Sequence, residues 1–211
     1  MDELISPFDE RWVLELYGDV DLVLRAMHYT MASRSRDRRV YVLLNMEFGG
    51  LDTLYLVKLC RVFNCKLNNI VVARAFRLSD TIMLLESLTS TGGAVVLVLL
   101  PYSYVSKDPA NYTEATRVTG LISKIALRNQ VVVYNTTSKF GRYMPEGGSF
   151  HHHVVKVIVR LSRRGRSVVA VLVKHPVKNY GARSIPLVAF EHPIEEKSTR
   201  SILEWVVAKR Q

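Results

Sequence analysis

Residues 93–100 read Gly-Ala-Val-Val-Leu-Val-Leu-Leu, and Pro101 ends this apolar run near the middle of the chain. A strand covered by helices on both sides buries both of its faces, so its sequence lacks the alternation of apolar and polar residues seen in half-exposed strands. We therefore predict that this run is the central strand of a parallel sheet. Ligands and catalytic carboxylates of α/β proteins usually lie just beyond the carboxyl ends of such strands. Here that place holds Pro101, Tyr102 and Ser103, none of which is an acid.

The composition is that of an ordinary globular protein. The 211 residues are 48% hydrophobic and 23% charged, which suits one well-formed core. No apolar run approaches the roughly 20 residues that span a bilayer, and residues 1–9 are acidic where a signal peptide would be basic and then apolar. We therefore expect one domain over residues 1–211, a cytoplasmic location and no membrane partner.

The formal charge of the chain is +10, and its arginines are clustered. One cluster lies early in the chain and one late, at Arg34, Arg36, Arg38 and Arg39, and at Arg160, Arg163, Arg164 and Arg166. Such clusters attract polyanions because binding releases counterions. Composition alone leaves open whether they bind nucleic acid or are solvated basic faces.

The two cysteines, Cys60 and Cys65, lie five residues apart in a segment that we predict to be helical. Residues at this spacing do not share a face of a helix, and further ligands for a metal site are missing. We therefore predict two thiols that pack in the core.

Apolar runs and turn residues predict alternating strands and helices along the first two thirds of the chain. Strands are expected at 12–17, 40–44, 70–73, 93–100 and 131–134, and helices at 20–31, 51–63, 79–88 and 113–127, with Asp19 and Ser79 as N-caps. This alternation is typical of an α/β fold with a parallel sheet and right-handed crossovers. Further along, β-rich runs at 154–161 and 168–174 flank a basic turn and predict an antiparallel hairpin, followed by a strand at 185–190 and a helix at 195–209.

The order of these elements and several short phrases resemble the ATPase core of the RecA/RadA recombinase superfamily, most closely the archaeal RadA paralogues. The phrases are Val-Val-Ala-Arg-Ala-Phe at 71–76 with Met83-Leu84-Leu85 after it, and Gly147-Gly148 followed by His153 and a strand ending in Val159-Arg160-Leu161. The resemblance covers residues 11–192 and implies a RecA-like sheet. The family's N-terminal helix-hairpin-helix domain and polymerisation motif are not visible in the sequence, so we expect a single RecA-like core, and a homo-oligomer is left open.

The resemblance implies a phosphate-binding loop, G-x-x-x-x-G-K-[ST], after the first strand. In such a loop glycine amides wrap the phosphates, the lysine neutralises them and a hydroxyl holds magnesium. Gly18 matches the first glycine, but Val23 stands at the second glycine, Leu24 at the lysine and Arg25 at the serine or threonine. A β-branched residue and an uncharged residue at these positions would hold a nucleoside triphosphate poorly.

Three further positions of the family's chemistry are also replaced. Asn45 stands at the glutamate that orients the attacking water, and an amide cannot accept a proton as a base must. Pro101 stands at the magnesium-associated aspartate, and Thr136 at the switch glutamine. Glu47 is either a shifted substitute or a surface glutamate beside a turn. These losses, with the apolar skeleton retained, predict a protein without ATP hydrolysis and without a cofactor.

The family's DNA-contacting loops follow the central strand and the next one, and their counterparts here are residues 102–112 and 138–148. The basic and aromatic residues in them are Lys107, Lys139, Phe140, Arg142 and Tyr143. Cations that contact phosphates and rings that stack on bases suit single-stranded DNA. The alternative is that the two rings anchor the second loop on the core.

Two other groups of residues were considered as sites. Three consecutive histidines, His151, His152 and His153, would alternate between the faces of a strand and could not converge on one ion, so we predict no metal site. We expect one of them to pack in the core, with His153 at the family's structural histidine position. At the predicted hairpin tip, Arg163, Arg164 and Arg166 contact DNA, contact a partner subunit, or only keep a sheet edge soluble.

Taken together, the sequence predicts an accessory factor of homologous recombination or DNA repair that binds single-stranded DNA, a RadA-type recombinase, or both. Two alternatives stay open. One is a divergent ATPase that binds nucleotide through Arg25 or with help from a neighbouring subunit. The other is a protein-interaction scaffold whose basic patches bind an acidic partner.

Overall fold

A computed structural model describes Asp9 and residues 11–106, 112–138 and 143–188, apart from the side chain of Tyr112. This part of the chain contains eight strands: β1 (Leu14–Gly18), β2 (Val40–Asn45), β3 (Ile70–Ala75), β4 (Val95–Leu99), β5 (Gln130–Asn135), β6 (Val157–Arg164), β7 (Ser167–Lys174) and β8 (Gly181–Pro186). Its α-helices are α1 (Val20–Arg34), α2 (Thr53–Phe63), α3 (Leu78–Leu88), α4 (Tyr112–Ala126) and α5 (Gly148–Val154).

All eight strands form one sheet in the order β3-β2-β4-β5-β1-β6-β7-β8. The pairings from β3 to β6 are parallel, and β6, β7 and β8 pair antiparallel. Helices α1 and α2 lie in connections that lead toward the β3 border of the sheet, and they pack on one face. Helices α3, α4 and α5 lie in connections that lead toward the β8 border, and they pack on the opposite face. Right-handed connections require this arrangement. The predicted α/β fold, with a mostly parallel sheet and a C-terminal antiparallel hairpin, is confirmed.

The central strand β4 is buried along its whole length. Its side chains alternate between the two faces: Leu97 packs with α1 and α2, and Val98 packs with α3 and α4. Both neighbours of the strand, β2 and β5, pair with it in parallel. An apolar run without alternation is therefore found where the sheet has helices on both sides.

Two of the predicted N-caps differ in detail. Asp19 precedes α1 as predicted, but its side chain does not bond the amides of the first turn. Ser79 lies inside α3, because that helix already begins at Leu78. The Asp80 carboxylate bonds the backbone N–H of Phe76, which precedes the helix, at 3.1 Å.

The prediction of two thiols at Cys60 and Cys65 is wrong, because these residues form a disulfide. Helix α2 ends at Phe63, and Asn64 adopts the left-handed conformation with a φ of 52°. This residue turns the chain back, so that the Cys65 N–H donates to the Cys60 carbonyl at 3.1 Å. The two Cα atoms are 4.6 Å apart, a distance that a continuous helix would not give at this spacing.

The C-terminal third differs most from expectation. The basic hairpin forms as predicted between β6 and β7, but the three histidines lie in helix α5 and not on a strand. Strand β8 spans Gly181–Pro186, earlier than the predicted 185–190. The predicted helix at 195–209 lies outside the described residues. Among the helices that the structure describes, none combines the length and the apolar character needed to cross a membrane.

Candidate functional site

The positions that the resemblance assigns to nucleotide chemistry gather at the carboxyl end of the parallel strands. Gly18 ends β1, Asn45 ends β2, Pro101 follows β4 and Thr136 follows β5. These strands are neighbours in the order β2-β4-β5-β1, so their carboxyl ends form one continuous border of the sheet, called here the carboxyl end. The neighbouring strands β5 and β1 are followed by helices on opposite faces of the sheet. In α/β proteins a crevice usually opens between two strands whose connections diverge in this way.

The connection between β1 and α1 is too short to wrap phosphates. It consists of Asp19 alone, since β1 ends at Gly18 and α1 begins at Val20. Val23, Leu24 and Arg25 therefore lie in the helix. Val23 is buried and Leu24 packs against the core of the α1 face. The guanidinium of Arg25 lies 5.3 Å from the centre of the Tyr55 ring.

The packing of the strands explains why residue 18 is a glycine, without any contact to a ligand. Its φ is 139°, and a Cβ atom built on it would lie 1.9 Å from the carbonyl oxygen of Leu161 on β6. Next to it, the Asp19 carboxylate accepts the backbone N–H of Arg163 at 3.2 Å. Asp19 and Asp21 place two carboxylates at the start of α1, where a phosphate would otherwise meet the positive end of the helix.

Asn45 is fully buried, and both ends of its amide are used inside the protein. Its Nδ2 donates to the Leu99 carbonyl at 2.9 Å, and its Oδ1 accepts the Thr81 hydroxyl at 2.7 Å. The side chain thus ties β2 to β4 and to α3. Beyond β4, Leu100 has a φ of 50°, which costs a non-glycine residue roughly 1–2 kcal/mol, and Pro101 is buried.

Thr136 lies at the base of the second predicted DNA-contacting loop. Its carbonyl accepts the Glu146 N–H at 3.1 Å, Thr137 bridges to Pro145, and the Ser138 N–H donates to the Met144 carbonyl at 2.7 Å. These contacts make the two ends of the loop an ordered stem. Four of the predicted DNA-binding residues, Lys107, Lys139, Phe140 and Arg142, lie outside the described residues.

A buried chain of hydrogen bonds, which the sequence did not predict, holds both loops on the sheet. Glu15 on β1 accepts Asn135 Nδ2 at 2.8 Å and contacts His151 Nε2 at 3.0 Å through the same oxygen, Oε1. His151 Nδ1 lies 2.6 Å from the Tyr102 hydroxyl, which also lies 2.7 Å from Thr119 Oγ1. Burial raises the pKa of Tyr102 well above its usual value, so the phenol keeps its proton.

The same chain of hydrogen bonds accounts for the three histidines. His151 is buried at 1% exposure, so the prediction that one histidine packs in the core is confirmed, but it is not His153, which is exposed. Burial, followed by the charge of Lys174, lowers the pKa of His152. Among the residues that the structure describes, no group of three or more histidine, cysteine, aspartate or glutamate side chains is arranged to hold a metal ion. A glutamate within the apolar strand β1 was the one signal of this network in the sequence.

An aromatic and basic surface lies at the carboxyl end beside β1. Tyr143 is 79% exposed, and the Tyr17 hydroxyl fixes its carbonyl at 2.7 Å. The guanidinium carbon of Arg160 lies 5.5 Å from the centre of the Tyr143 ring. Arg160 pairs in register with Tyr17, so the remainder of β6 and its hairpin turn extend past the end of β1. We use the name Tyr143 surface for Tyr143 and Arg160 together with Arg163, Arg164 and Arg166 at the hairpin end that adjoins them; along β6 the side chain of Arg163 alternates to the opposite face from Arg160.

The sequence placed Arg160 in a basic cluster and in the phrase Val159-Arg160-Leu161, but gave it no role of its own. In the structure it lies between two tyrosines, and its charge opposes the rise that burial causes in the pKa of Tyr17. Its Nε is buried and has no hydrogen-bond partner in the described part of the chain. The buried Nε is out of reach of a ligand, but a cation held beside an exposed ring is an arrangement suited to a phosphate and a base.

A different surface lies at the other border of the sheet, along β3. Among the strands that the structure describes, β3 pairs with β2 alone. Apolar side chains are exposed on the strand and on the elements next to it, at Val71, Val72, Phe76 and Met83. An unpaired strand with exposed apolar residues can accept an extended segment of another protein.

The chain was also compared with known proteins. No protein-family model matches it, and no curated protein is similar to it in sequence. The assignment to the RecA/RadA superfamily therefore stays a prediction from the residues of the chain itself.

Proposed function

We propose that this chain is a RecA/RadA-like protein that does not hydrolyse ATP and that acts as an accessory factor in homologous recombination or DNA repair. It binds single-stranded DNA at the carboxyl end of its sheet. The observation that carries the proposal is the Tyr143 surface, where an exposed ring lies 5.5 Å from a guanidinium beside a turn with three more arginines. Stacking on the ring and charge contacts with the phosphates together favour a single strand over a duplex.

The geometry near β1 supports the absence of hydrolysis. The one-residue connection to α1 offers no loop for phosphates, and Asp19 and Asp21 bring negative charge to the place where they would bind. Asn45 is fully engaged in structural hydrogen bonds. The Tyr143 surface meets these residues at the backbone N–H of Arg163, which donates to Asp19, and it does not need a nucleotide.

The test is fluorescence anisotropy with a labelled single-stranded oligonucleotide across a salt series. We expect affinity to fall steeply with salt, because Lys and Arg displace counterions from the strand. Tyr143→Ala should weaken binding about 5- to 160-fold, which corresponds to the roughly 1–3 kcal/mol of one stacked base. Phe76→Ala is the matched control, since its ring is 59% exposed but follows β3, and the strands β2, β4 and β5 lie between β3 and β1.

Two further variants locate the binding site. Arg163→Gln with Arg166→Gln tests the hairpin turn, and Lys139→Ala with Arg142→Ala tests the loop after β5. An isotherm unchanged by Tyr143→Ala and by both pairs would show that the site was placed wrongly. Binding that is absent at low salt would remove DNA from the proposal altogether.

The β3 border favours a protein partner as a second candidate, and we infer that a RadA-type recombinase could dock there through an extended apolar segment. The unpaired strand and the exposed Phe76 and Met83 support this inference. Phe76→Ser with Met83→Ser should then weaken binding to a purified recombinase in a biosensor measurement. Val177→Ser serves as the control, because this exposed side chain lies between β7 and β8 near the opposite border. Equal binding by all forms would argue against this surface.

A further inference from the structure

The early arginine cluster lies at the opposite end of the sheet from the Tyr143 surface. Arg38 and Arg39 precede β2, Arg128 precedes β5 and Arg11 precedes β1. Since β2, β4, β5 and β1 are consecutive in the sheet, these residues form a row along the amino ends of the strands. Three strand spacings of about 4.8 Å make this row about 15 Å long.

A cleft of about 170 Å³ lies within this row. Its lining includes Arg11, Arg38 and Arg128 and contains no carboxylate among the described residues. Arg11 is already held by both oxygens of Asp9, at 3.1 and 2.7 Å, so its charge is compensated. Arg38 and Arg128 bring two further guanidinium groups to the lining of the cleft.

The floor of the cleft is fixed by backbone hydrogen bonds. The Gly93 N–H donates to the Arg128 carbonyl at 2.9 Å, and the Val95 N–H donates to the Arg39 carbonyl at the same distance. The Asn129 side chain accepts the Ala94 N–H at 3.1 Å. The arginines thus extend from rigid ends of buried strands, which reduces the entropy lost when a ligand is bound.

We propose that the part of this row formed by Arg36, Arg38, Arg39 and Arg128, with Arg36 lying 3.8 Å from the Asp37 carboxylate, is a second binding site for the phosphodiester backbone of nucleic acid. This part spans β2, β4 and β5, which is two strand spacings or about 10 Å, and it therefore fits neighbouring phosphates of a chain better than one phosphate ion. Guanidinium groups bind phosphate oxygens through pairs of hydrogen bonds. The site makes no use of the Tyr143 surface and does not depend on it.

The positions of the two basic surfaces have a consequence for function, which rests on the proposed function. Strands of five to eight residues separate the ends of the sheet, which corresponds to about 20 Å at roughly 3.3 Å per residue. A short single strand held at one end does not reach the other. One molecule of this protein therefore holds two segments of nucleic acid at the same time.

The experiment uses the full chain and two non-complementary single-stranded oligonucleotides, one with a donor fluorophore and one with an acceptor. At low salt we expect energy transfer near equimolar protein, and loss of transfer when protein is in excess and each molecule holds one strand. Arg38→Gln with Arg128→Gln should abolish the transfer while one strand still binds. In this variant the slope of log oligonucleotide affinity against log salt concentration should be smaller in magnitude than in the wild type by about 1.4. Two arginine contacts are lost, and each contact to a single strand contributes roughly 0.7.

The controls separate this inference from the proposed function. Lys58→Ala with Arg183→Ala removes two charges from the middle of α2 and of β8 and should leave the transfer unchanged. If Arg38→Gln with Arg128→Gln does not fold, Arg36→Gln with Arg39→Gln tests the same row. Arg163→Gln with Arg166→Gln should also abolish the transfer if DNA binds at the carboxyl end.

The outcomes differ for the two proposals. Transfer and salt slope that are unchanged in Arg38→Gln with Arg128→Gln would overturn the second site and leave the Tyr143 surface standing. Transfer that depends on the amino-end arginines but not on Arg163 and Arg166 would support the second site and contradict the proposed DNA site at the carboxyl end. If millimolar inorganic phosphate competes as well as an oligonucleotide of equal phosphate concentration, the site binds single phosphates and the inference of a backbone site is wrong.

Discussion

Gly147, in the loop after β5, packs against the ring of Tyr102, which follows β4. Its φ is 122°, and a Cβ atom built on it would lie 2.5 Å from the ring of Tyr102 and 3.0 Å from that of His151. Both rings belong to the buried hydrogen-bond chain and cannot move without breaking it. We expect Gly147→Ala to lower the free energy of unfolding by about 3 kcal/mol, from overpacking and from backbone strain together, as measured by urea denaturation.

Gly93→Ala is the control for the backbone contribution alone. Gly93 also has a positive φ, 72°, but a Cβ atom on it would meet nothing within 4 Å. We expect a loss of about 1 kcal/mol for this variant. Equal losses for the two glycine variants would show that Tyr102 and His151 do not pack against Gly147 as described.

Buried tyrosines make the stability of the protein sensitive to alkaline pH. Burial raises the pKa of Tyr102 and of Tyr134, whose hydroxyl donates to Thr30 Oγ1 at 2.6 Å. Both values lie above the roughly 10 of an unfolded tyrosine, so above pH 10 the unfolded chain loses protons that the folded chain keeps. This contribution to stability is complete below pH 10 and is lost above it, by up to about 1.4 kcal/mol per pH unit for each tyrosine.

Urea denaturation between pH 8 and 11 measures this effect. Tyr134→Phe should reduce the alkaline slope of the free energy of unfolding by up to about 1.4 kcal/mol per pH unit. Tyr180→Phe removes a phenol whose ring is 75% exposed and serves as the comparison. Parallel curves for the wild type and Tyr134→Phe would contradict the expected release of a proton from Tyr134 on unfolding.

At the scale of single residues, the sequence showed which residues are unusual for their place in the chain, but not which residues they contact in the fold. Glu15 stands out between two leucines of an apolar strand, so its burial implies a partner. That partner, His151, lies 136 residues away, and sequence periodicity carries no information about such a pairing. For the same reason the sequence showed that an amide, Asn45, stands at the position of the family's glutamate. It did not show that this amide forms hydrogen bonds with Leu99 and Thr81.

At the scale of elements, the disulfide fixes the end of α2. It closes a short loop across Asn64, whose left-handed conformation ends the helix. By the chain-entropy model a loop of this size stabilises by about 2 kcal/mol. For a chain of this length we expect a reductant to lower the melting temperature by about 4–8 °C, as measured by circular dichroism.

Cys60→Ser with Cys65→Ser should melt at the temperature of the reduced wild type, and reductant should not lower it further. A wild-type melting temperature that is insensitive to reductant while both thiols become reactive would mean that the disulfide does not contribute. Titration of thiols under denaturing conditions distinguishes this result from incomplete reduction.

Elements with strong apolar patterns were predicted well, and elements without them were not. The strands β1 to β5 and the helices α1 to α4 carry apolar runs or helical spacing, and all were found close to the predicted bounds. Helix α5 has only seven residues, three of them histidines, so it shows no apolar period. Strand β8 is exposed along most of its length and lacks the alternation that marks a half-buried strand.

At the scale of the whole molecule, the sheet separates two basic surfaces, the Tyr143 surface and the arginines at the amino ends of the strands. The start of α1, next to the Tyr143 surface, is acidic. A polyphosphate at the carboxyl end would meet Asp19 and Asp21 before it met a cation held by β1 or α1. Arg25, the one basic residue in the register of the phosphate loop, lies over the ring of Tyr55. Charge and backbone geometry therefore act against nucleotide binding in the same place.

We expect isothermal calorimetry to show no saturable binding of ATP with magnesium at micromolar concentrations. Neutralisation of the charge at the helix start, with Asp19→Asn and Asp21→Asn, should not restore binding, because the connection from β1 to α1 is still a single residue and Val23 stays in the core. If the double variant did bind ATP, charge alone would have excluded the nucleotide.

Saturable binding by the wild type, abolished by Arg25→Ala, would instead favour the divergent ATPase. The same titration with the oligonucleotide present tests whether a neighbouring molecule on DNA completes the site, and heat that appears only in that mixture would require a subunit interface as part of the function.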